Sequence, residues 1–336
     1  MLTPESFAIL PWGWTPGDRE TLRGIRECGF NLAGFVEAGH LDRVADAGLK
    51  AMVYSPRIQA GDAECRLSAA EIARRVREVV EPTRDHAATF GYYLRDEPGA
   101  GVFPGLRKWA TAVHRSAPSA CAYINLFPNY ATPEQLGSAD YERHLAAYVK
   151  IVRPRFISYD HYALMADGSL RGGYFENLAA VRTVALQQGV PFWNIVLSNA
   201  HFHYAEPTAA GLRFQLYTTL AYGGRGISYF TYFTPPTGNY RLAPIDPFGN
   251  PTPTWSLLRE VNLQLHHLGP TYLQCRSINV IHHEDAAAGG VKGVKNSRYL
   301  AELRGGSLLV GEFEGPGRTP YAMVVNKSLR DSVVFH

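Results

Sequence analysis

The chain has 336 residues and a formal net charge of +3, with 46% hydrophobic and 19% charged residues. That size and makeup suit one large globular domain, or a barrel of about 250 residues carrying an appendage. No lysine or arginine block forms the basic stripe that nucleic acid requires, and no apolar stretch reaches membrane-spanning length, so neither partner is expected.

Short apolar strands alternate with amphipathic helices from the start. The first strand covers residues 6–12, and its helix 18–28 stops at Gly29. Strands follow at 31–36 and 50–54, with helix 40–47 between them closed by Gly48. Ser68 opens the next helix with Glu71 three residues on, the pattern of a capping box. The fourth strand, 91–95, runs into Asp96-Glu97-Pro98 and a helix at 104–116. Strand 121–126, helix 139–152, strand 155–159 and helix 174–188 come next, and then strand 191–197, helix 208–222 and strand 226–230. A proline- and glycine-rich loop precedes a last helix at 253–267. Eight βα units in series predict an α/β fold, a closed (β/α)8 TIM barrel over residues 1–270. No glycine-rich phosphate loop follows the first strand, which argues against an open nucleotide-binding sheet.

Beyond residue 270, period-two patterns at 277–283, 299–303, 307–312 and 321–326 replace the βα alternation. They predict a small C-terminal antiparallel β appendage over 271–336, read as an incomplete sandwich. The four cysteines, Cys28, Cys65, Cys121 and Cys275, lack the spacing of a zinc site or a disulfide framework. The N-terminus shows no signal-peptide pattern. The chain begins just before its first strand, as a processed exported protein would, which favours a secreted or periplasmic location over the cytoplasm.

Barrel chemistry sits at the C-terminal ends of the strands. The polar and aromatic residues there are Trp12 and Trp14, Glu37, Tyr54, Asp96 and Glu97, Asn125, the run Tyr159-Asp160-His161-Tyr162, Asn199, His201, His203, Tyr229 and Tyr232. Amides and carboxylates grip hydroxyls and rings stack on sugar faces, so the list predicts a carbohydrate substrate. Two adjacent carboxylates repel one another, so one should hold a proton near neutral pH and serve as an acid. The competing structural role for the pair is to complement the next helix dipole. Catalysis is therefore assigned to Glu97, Asp160 and Asp96, and the other residues in the list to substrate binding. No cofactor is expected. His201 and His203, with Asp160 and His161, could alternatively hold zinc or iron in a metal-dependent barrel enzyme.

The motif Asp96-Glu97-Pro98 at the end of the fourth strand resembles the Asn-Glu-Pro signature of clan A glycoside hydrolases, whose Glu is the acid/base. The run from Leu212 to Gln215 and from Ala221 to Phe230 is similar to the helix-seven and strand-eight passage of several barrel glycosidases. The resemblance implies a glycoside hydrolase on a (β/α)8 barrel with Glu97 as general acid/base. Two departures stand out. Asp replaces Asn before Glu97, and the seventh strand carries no carboxylate where clan A places its nucleophile. Three options follow: Asp160 as nucleophile or base, a substrate-assisted reaction with Asp96 orienting a 2-acetamido group, or a barrel that binds sugar without cleaving it.

Overall fold

The computed structural model describes residues 6–284, 294 and 296–336. Eight strands run parallel: β1 (Ala8–Pro11), β2 (Leu32–Glu37), β3 (Lys50–Tyr54), β4 (Thr89–Asp96), β5 (Cys121–Leu126), β6 (Ile157–Asp160), β7 (Phe192–Leu197) and β8 (Gly226–Phe230). They form one sheet in the order β1-β8-β7-β6-β5-β4-β3-β2. The surrounding helices are α1 (Arg19–Glu27), α2 (Leu41–Asp46), α3 (Ala69–Val80), α4 (Phe103–Ser116), the single turn α5 (Pro133–Leu136), α6 (Tyr141–Val152), α7 (Tyr174–Gln188), α8 (Ala209–Ala221) and α9 (Pro253–Tyr272).

The barrel closes between β1 and β2 by a mixture of side chain and loop. At the lower end the Asn31 amide donates to the Phe7 carbonyl at 2.7 Å and accepts the Ile9 N–H at 2.9 Å. At the upper end the Phe35 N–H donates to the Gly13 carbonyl at 2.8 Å. Gly34 permits that approach, because a Cβ there would stand 2.3 Å from the Gly13 carbonyl oxygen. Asn31→Leu leaves one N–H and one carbonyl buried and unpaired. Each costs about 1–3 kcal/mol, so urea unfolding should show a clear fall in midpoint at unchanged slope. An unchanged midpoint would remove Asn31 from the closure.

Side chains alternate along the strands. One set fills the barrel interior, with Leu10, Trp12, Met52, Tyr123, Phe156, Trp193 and Ile195 among its members. The other packs under the helices. Helix starts follow the expected chemistry: Asp18, Ser68, Asp140 and Thr208 each accept a backbone N–H from the first turn. The capping box at Ser68 is only half made, because the Glu71 carboxylate binds Arg74 and Arg75 instead of reaching back. Helix α9 continues past the expected stop at 267. Its last turn is anchored by the Tyr272 hydroxyl, which donates to the carbonyls of Leu220 and Gly224.

The C-terminal sheet has three antiparallel strands among the described residues: β9 (Arg276–His283), β10 (Leu308–Glu314) and β11 (Pro320–Asn326), in the order β11-β10-β9. The strand expected at 299–303 does not form. The buried Glu312 carboxylate draws that segment onto itself, accepting from the Ser297 hydroxyl and from the Arg298 and Tyr299 N–H groups. Strand β10 packs closely on the end of α8, where a Cβ at Gly311 would stand 2.3 Å from the Ala221 carbonyl oxygen. No described helix is long and apolar enough to cross a membrane.

Candidate active site

Three carboxyl groups meet at the C-terminal rim. Asp96 ends β4, Glu97 follows it, and Asp160 ends β6. Strict alternation would turn either Asp96 or Glu97 away. Glu97 instead adopts a left-handed backbone with φ of +41°, unusual for a residue with a side chain, and its N–H donates to the Asn125 carbonyl at 2.9 Å. Both carboxyls therefore face one pocket of about 280 Å³, which Asp160 also lines.

Asn125, inward on β5, ties the acids together. Its amide nitrogen donates to Asp96 Oδ1 at 3.1 Å and to Asp160 Oδ1 at 2.9 Å. Its oxygen accepts the Ser158 hydroxyl at 2.8 Å, which fixes the amide orientation. The Tyr123 and Ser158 hydroxyls lie 3.0 Å apart one layer below. Asn125 also lines the pocket, with its amide engaged by the two acids and Ser158.

The charges decide the chemistry. Burial and the neighbouring Asp96 charge push the Glu97 carboxyl up to about 7, against the pull of a hydrogen bond with Asp160. Asp160 is buried, and burial followed by the Glu97 and Asp96 charges raises its carboxyl well above the usual range. A hydrogen bond links it to Glu97. Asp96 is raised as well, by burial within the concave wall, but its side chain opens to the pocket water. Of the three it is the best placed to carry the negative charge.

Aromatic side chains build the remaining walls. Trp12 meets the rings of Phe35, Tyr93 and Tyr123 edge-on. Tyr162 stacks on Phe230 with centroids 5.6 Å apart. His201 lines the pocket, with Nδ1 bonded to Asn199 Oδ1 at 2.9 Å, and burial followed by the Arg241 charge lowers it to about 4, so it is neutral. Asn199 itself is buried, donating to the Phe230 carbonyl at 2.9 Å.

Other expected binders stand elsewhere. Tyr159 and Tyr229 are fully buried among the helix-facing side chains, one position out of phase with Asp160 and Phe230. Tyr232 also faces the helices, accepting from Trp255 Nε1 at 3.0 Å. His161 lies behind Tyr130, its Nδ1 on Asn177. Trp14, Glu37 and Tyr54 are not among the pocket-lining residues. Trp14 is 57% exposed on the loop after β1, Glu37 is exposed, and Tyr54 packs on the interior cluster. His203 is exposed and outside the pocket wall. Among the described residues no group of three or more His, Cys, Asp or Glu side chains is placed to hold a metal, so the metal-dependent alternative lacks its ligand set.

The pocket adds Tyr130, Phe202, Tyr204 and Phe230, which the sequence reading passed over. Phe230 was accessible by parity with Ser228. Phe202 was hidden between two histidines. Its φ is +45° and 66% of it is exposed, and its N–H is held by Asn239 Oδ1 at 3.0 Å. Two larger hollows lie off the C-terminal face. One, of about 520 Å³, is against α8 and α9 beside Tyr217 and Arg259. The other, of about 420 Å³, is at the opposite barrel end beside Arg84 and Arg155.

No family model matches the sequence, and no curated protein matches it. Solved structures do. The β-galactosidase from the psychrophilic Marinomonas ef1 aligns with a TM-score of 0.59 at 10% identity, covering 78% of this chain and 60% of that one. The polyextremophilic β-galactosidase from the Antarctic haloarchaeon Halorubrum lacusprofundi gives 0.53 at 11% identity, over 83% and 59%. The chain thus spans about three-fifths of those two enzymes. A structure described as a glycoside hydrolase gives 0.58 at 10% identity, over 98% of this chain and 88% of that one. At such identities the shared property is the fold, an eight-stranded parallel barrel of the kind these glycoside hydrolases use.

Proposed function

We propose that the chain is a glycosidase that cleaves an O-glycosidic bond of an oligo- or polysaccharide, with Glu97 as its general acid/base. The observation that carries this reading is three carboxyls, Asp96, Glu97 and Asp160, lining one pocket at the C-terminal rim of a barrel, where burial and then the Asp96 charge push Glu97 up to about 7. Barrels host many chemistries, so the site bears the argument and the fold only agrees with it. The β-galactosidases and the glycoside hydrolase among the similar structures are consistent with it.

In the proposed step protonated Glu97 gives its proton to the glycosidic oxygen as the bond to the anomeric carbon breaks. Positive charge then develops at that carbon, which Asp96 stabilises. Retaining pairs stand about 5–5.5 Å apart and inverting pairs about 6.5–9.5 Å. Glu97 and Asp160 are in hydrogen-bond contact, closer than either class. Asp160 is thus a positioning residue for Glu97. Attack falls to Asp96 or to a substituent of the sugar itself, such as a 2-acetamido oxygen. Aryl glycosides with and without that substituent, assayed side by side, separate the two routes. Sugar binding with no turnover on either would establish a non-catalytic barrel, a reading favoured by the absence of a carboxylate on β7. On the catalytic reading the barrel, about 1–270, holds all the chemistry and the appendage, 271–336, supports it.

Glu97 must be protonated to act as an acid, so kcat/KM should fall as pH rises through about 7. Asp96→Asn removes the charge that raises Glu97, and the basic limb should move to lower pH. A limb that stays in place when Asp96 is neutralised would show that Asp96 does not set the acidity of Glu97.

A further inference from the structure

Among the described residues, one half-buried cation beside the pocket-lining rings forms no ion pair. Arg171, half-buried on the loop after β6, lays its guanidinium 4.0 Å from the Tyr130 ring centroid and 5.4 Å from that of Tyr204. Both rings line the pocket. Its Nε is buried without a hydrogen-bond partner. Every other half-buried arginine among the described residues gives its guanidinium to a carbonyl, a hydroxyl or a carboxylate, as Arg95, Arg107, Arg182 and Arg225 do. The two rings hold Arg171 from their faces. That contact stabilises a cation but satisfies none of its N–H donors. A guanidinium left with free donors beside a ligand pocket matches a planar anion that accepts two parallel hydrogen bonds.

We infer that Arg171 receives an anionic substituent of the sugar, a carboxylate or a sulfate ester, on a unit next to the one that Glu97 cleaves. This rests on the glycosidase reading and deepens it by naming the substrate class as acidic glycans. The carboxyl cluster repels an anion, and Arg171 lies against Tyr130, a ring that shares the pocket lining with Asp96 and Glu97. An acidic sugar unit can then be bound without laying its charge against the acids. A neutral glycan leaves the Arg171 donors to water.

The test uses Glu97→Gln protein on an array of neutral, uronic-acid and sulfated oligosaccharides of matched length. Acidic members should bind about 10- to 100-fold tighter than neutral ones, with the carboxylated and sulfated arms showing which anion is preferred. Adding Arg171→Gln should abolish that preference and leave neutral binding in place, with the melting temperature reporting that the loop still folds. Arg171→Lys should keep part of the preference, since it keeps the charge and loses the planar fork. Equal binding of acidic and neutral glycans, or a preference that survives Arg171→Gln, overturns the inference and leaves the glycosidase reading standing. Binding to no oligosaccharide overturns both.

Discussion

Glu97→Gln should abolish turnover of glycan substrates while sugar binding persists. The amide keeps the shape of the carboxyl and cannot release an acidic proton, and general acid catalysis contributes about 10²–10⁴-fold. The folded state should not suffer. A carboxyl raised to about 7 in the native state binds more protons there than in the unfolded chain. Its effect on stability therefore turns unfavourable as pH rises from the ordinary glutamate range through 7. Glu97→Gln removes that penalty, so its melting temperature should equal the parent's at acid pH and exceed it increasingly towards pH 8. Thermal melts across that range check this, and a variant that is less stable at pH 8 would contradict the electrostatic account.

Asp160 should give the second largest effect, in a pattern unlike that of a nucleophile. Its carboxyl is buried and pushed well above the usual range, and the proposed state is a protonated Asp160 donating to Glu97. Asparagine can also donate from that position, so Asp160→Asn should cost only about 10-fold, whereas Asp160→Leu removes a charge-assisted hydrogen bond and should cost about 10²-fold. Azide should rescue neither, because the group replaced is not the one that meets the anomeric carbon. Steady-state kinetics with and without azide make the check. Rescue of Asp160→Asn would restore Asp160 as nucleophile or base and displace the positioning role.

The barrel was legible because parallel strands read as short apolar runs between capped helices, and Ser68, Asp140 and Thr208 mark helix starts by chemistry alone. The position of the acids on the fourth and sixth strands followed from that count. Their states did not. Asp160 has polar neighbours in sequence, but in space it sits in a buried wall, which adjacency does not reveal. Tyr159 and Tyr229 could have been excluded by period two, since Asp160 and Phe230 take the inward positions beside them. The left-handed backbone at Glu97 and Phe202 leaves no trace in residue type, as neither is a glycine or an asparagine. The amide of Asn125 is committed by groups from the two flanking strands, β4 and β6, a three-dimensional fact that spacing does not carry. The missing appendage strand follows from one buried carboxylate, Glu312, whose pull on the 297–299 backbone outweighs an alternating pattern.

The claim at the centre is that Glu97 donates a proton to the departing oxygen, and the dependence of rate on the leaving group reads this directly. A series of aryl glycosides with leaving-group acidities from dinitrophenol to phenol should be turned over by the parent and by Glu97→Gln. The account predicts near-parental rates for the variant on the dinitrophenyl glycoside, where no proton is needed, and a loss that grows to about 10²–10⁴-fold on the phenyl glycoside. A variant that tracks the parent across the whole series would contradict it.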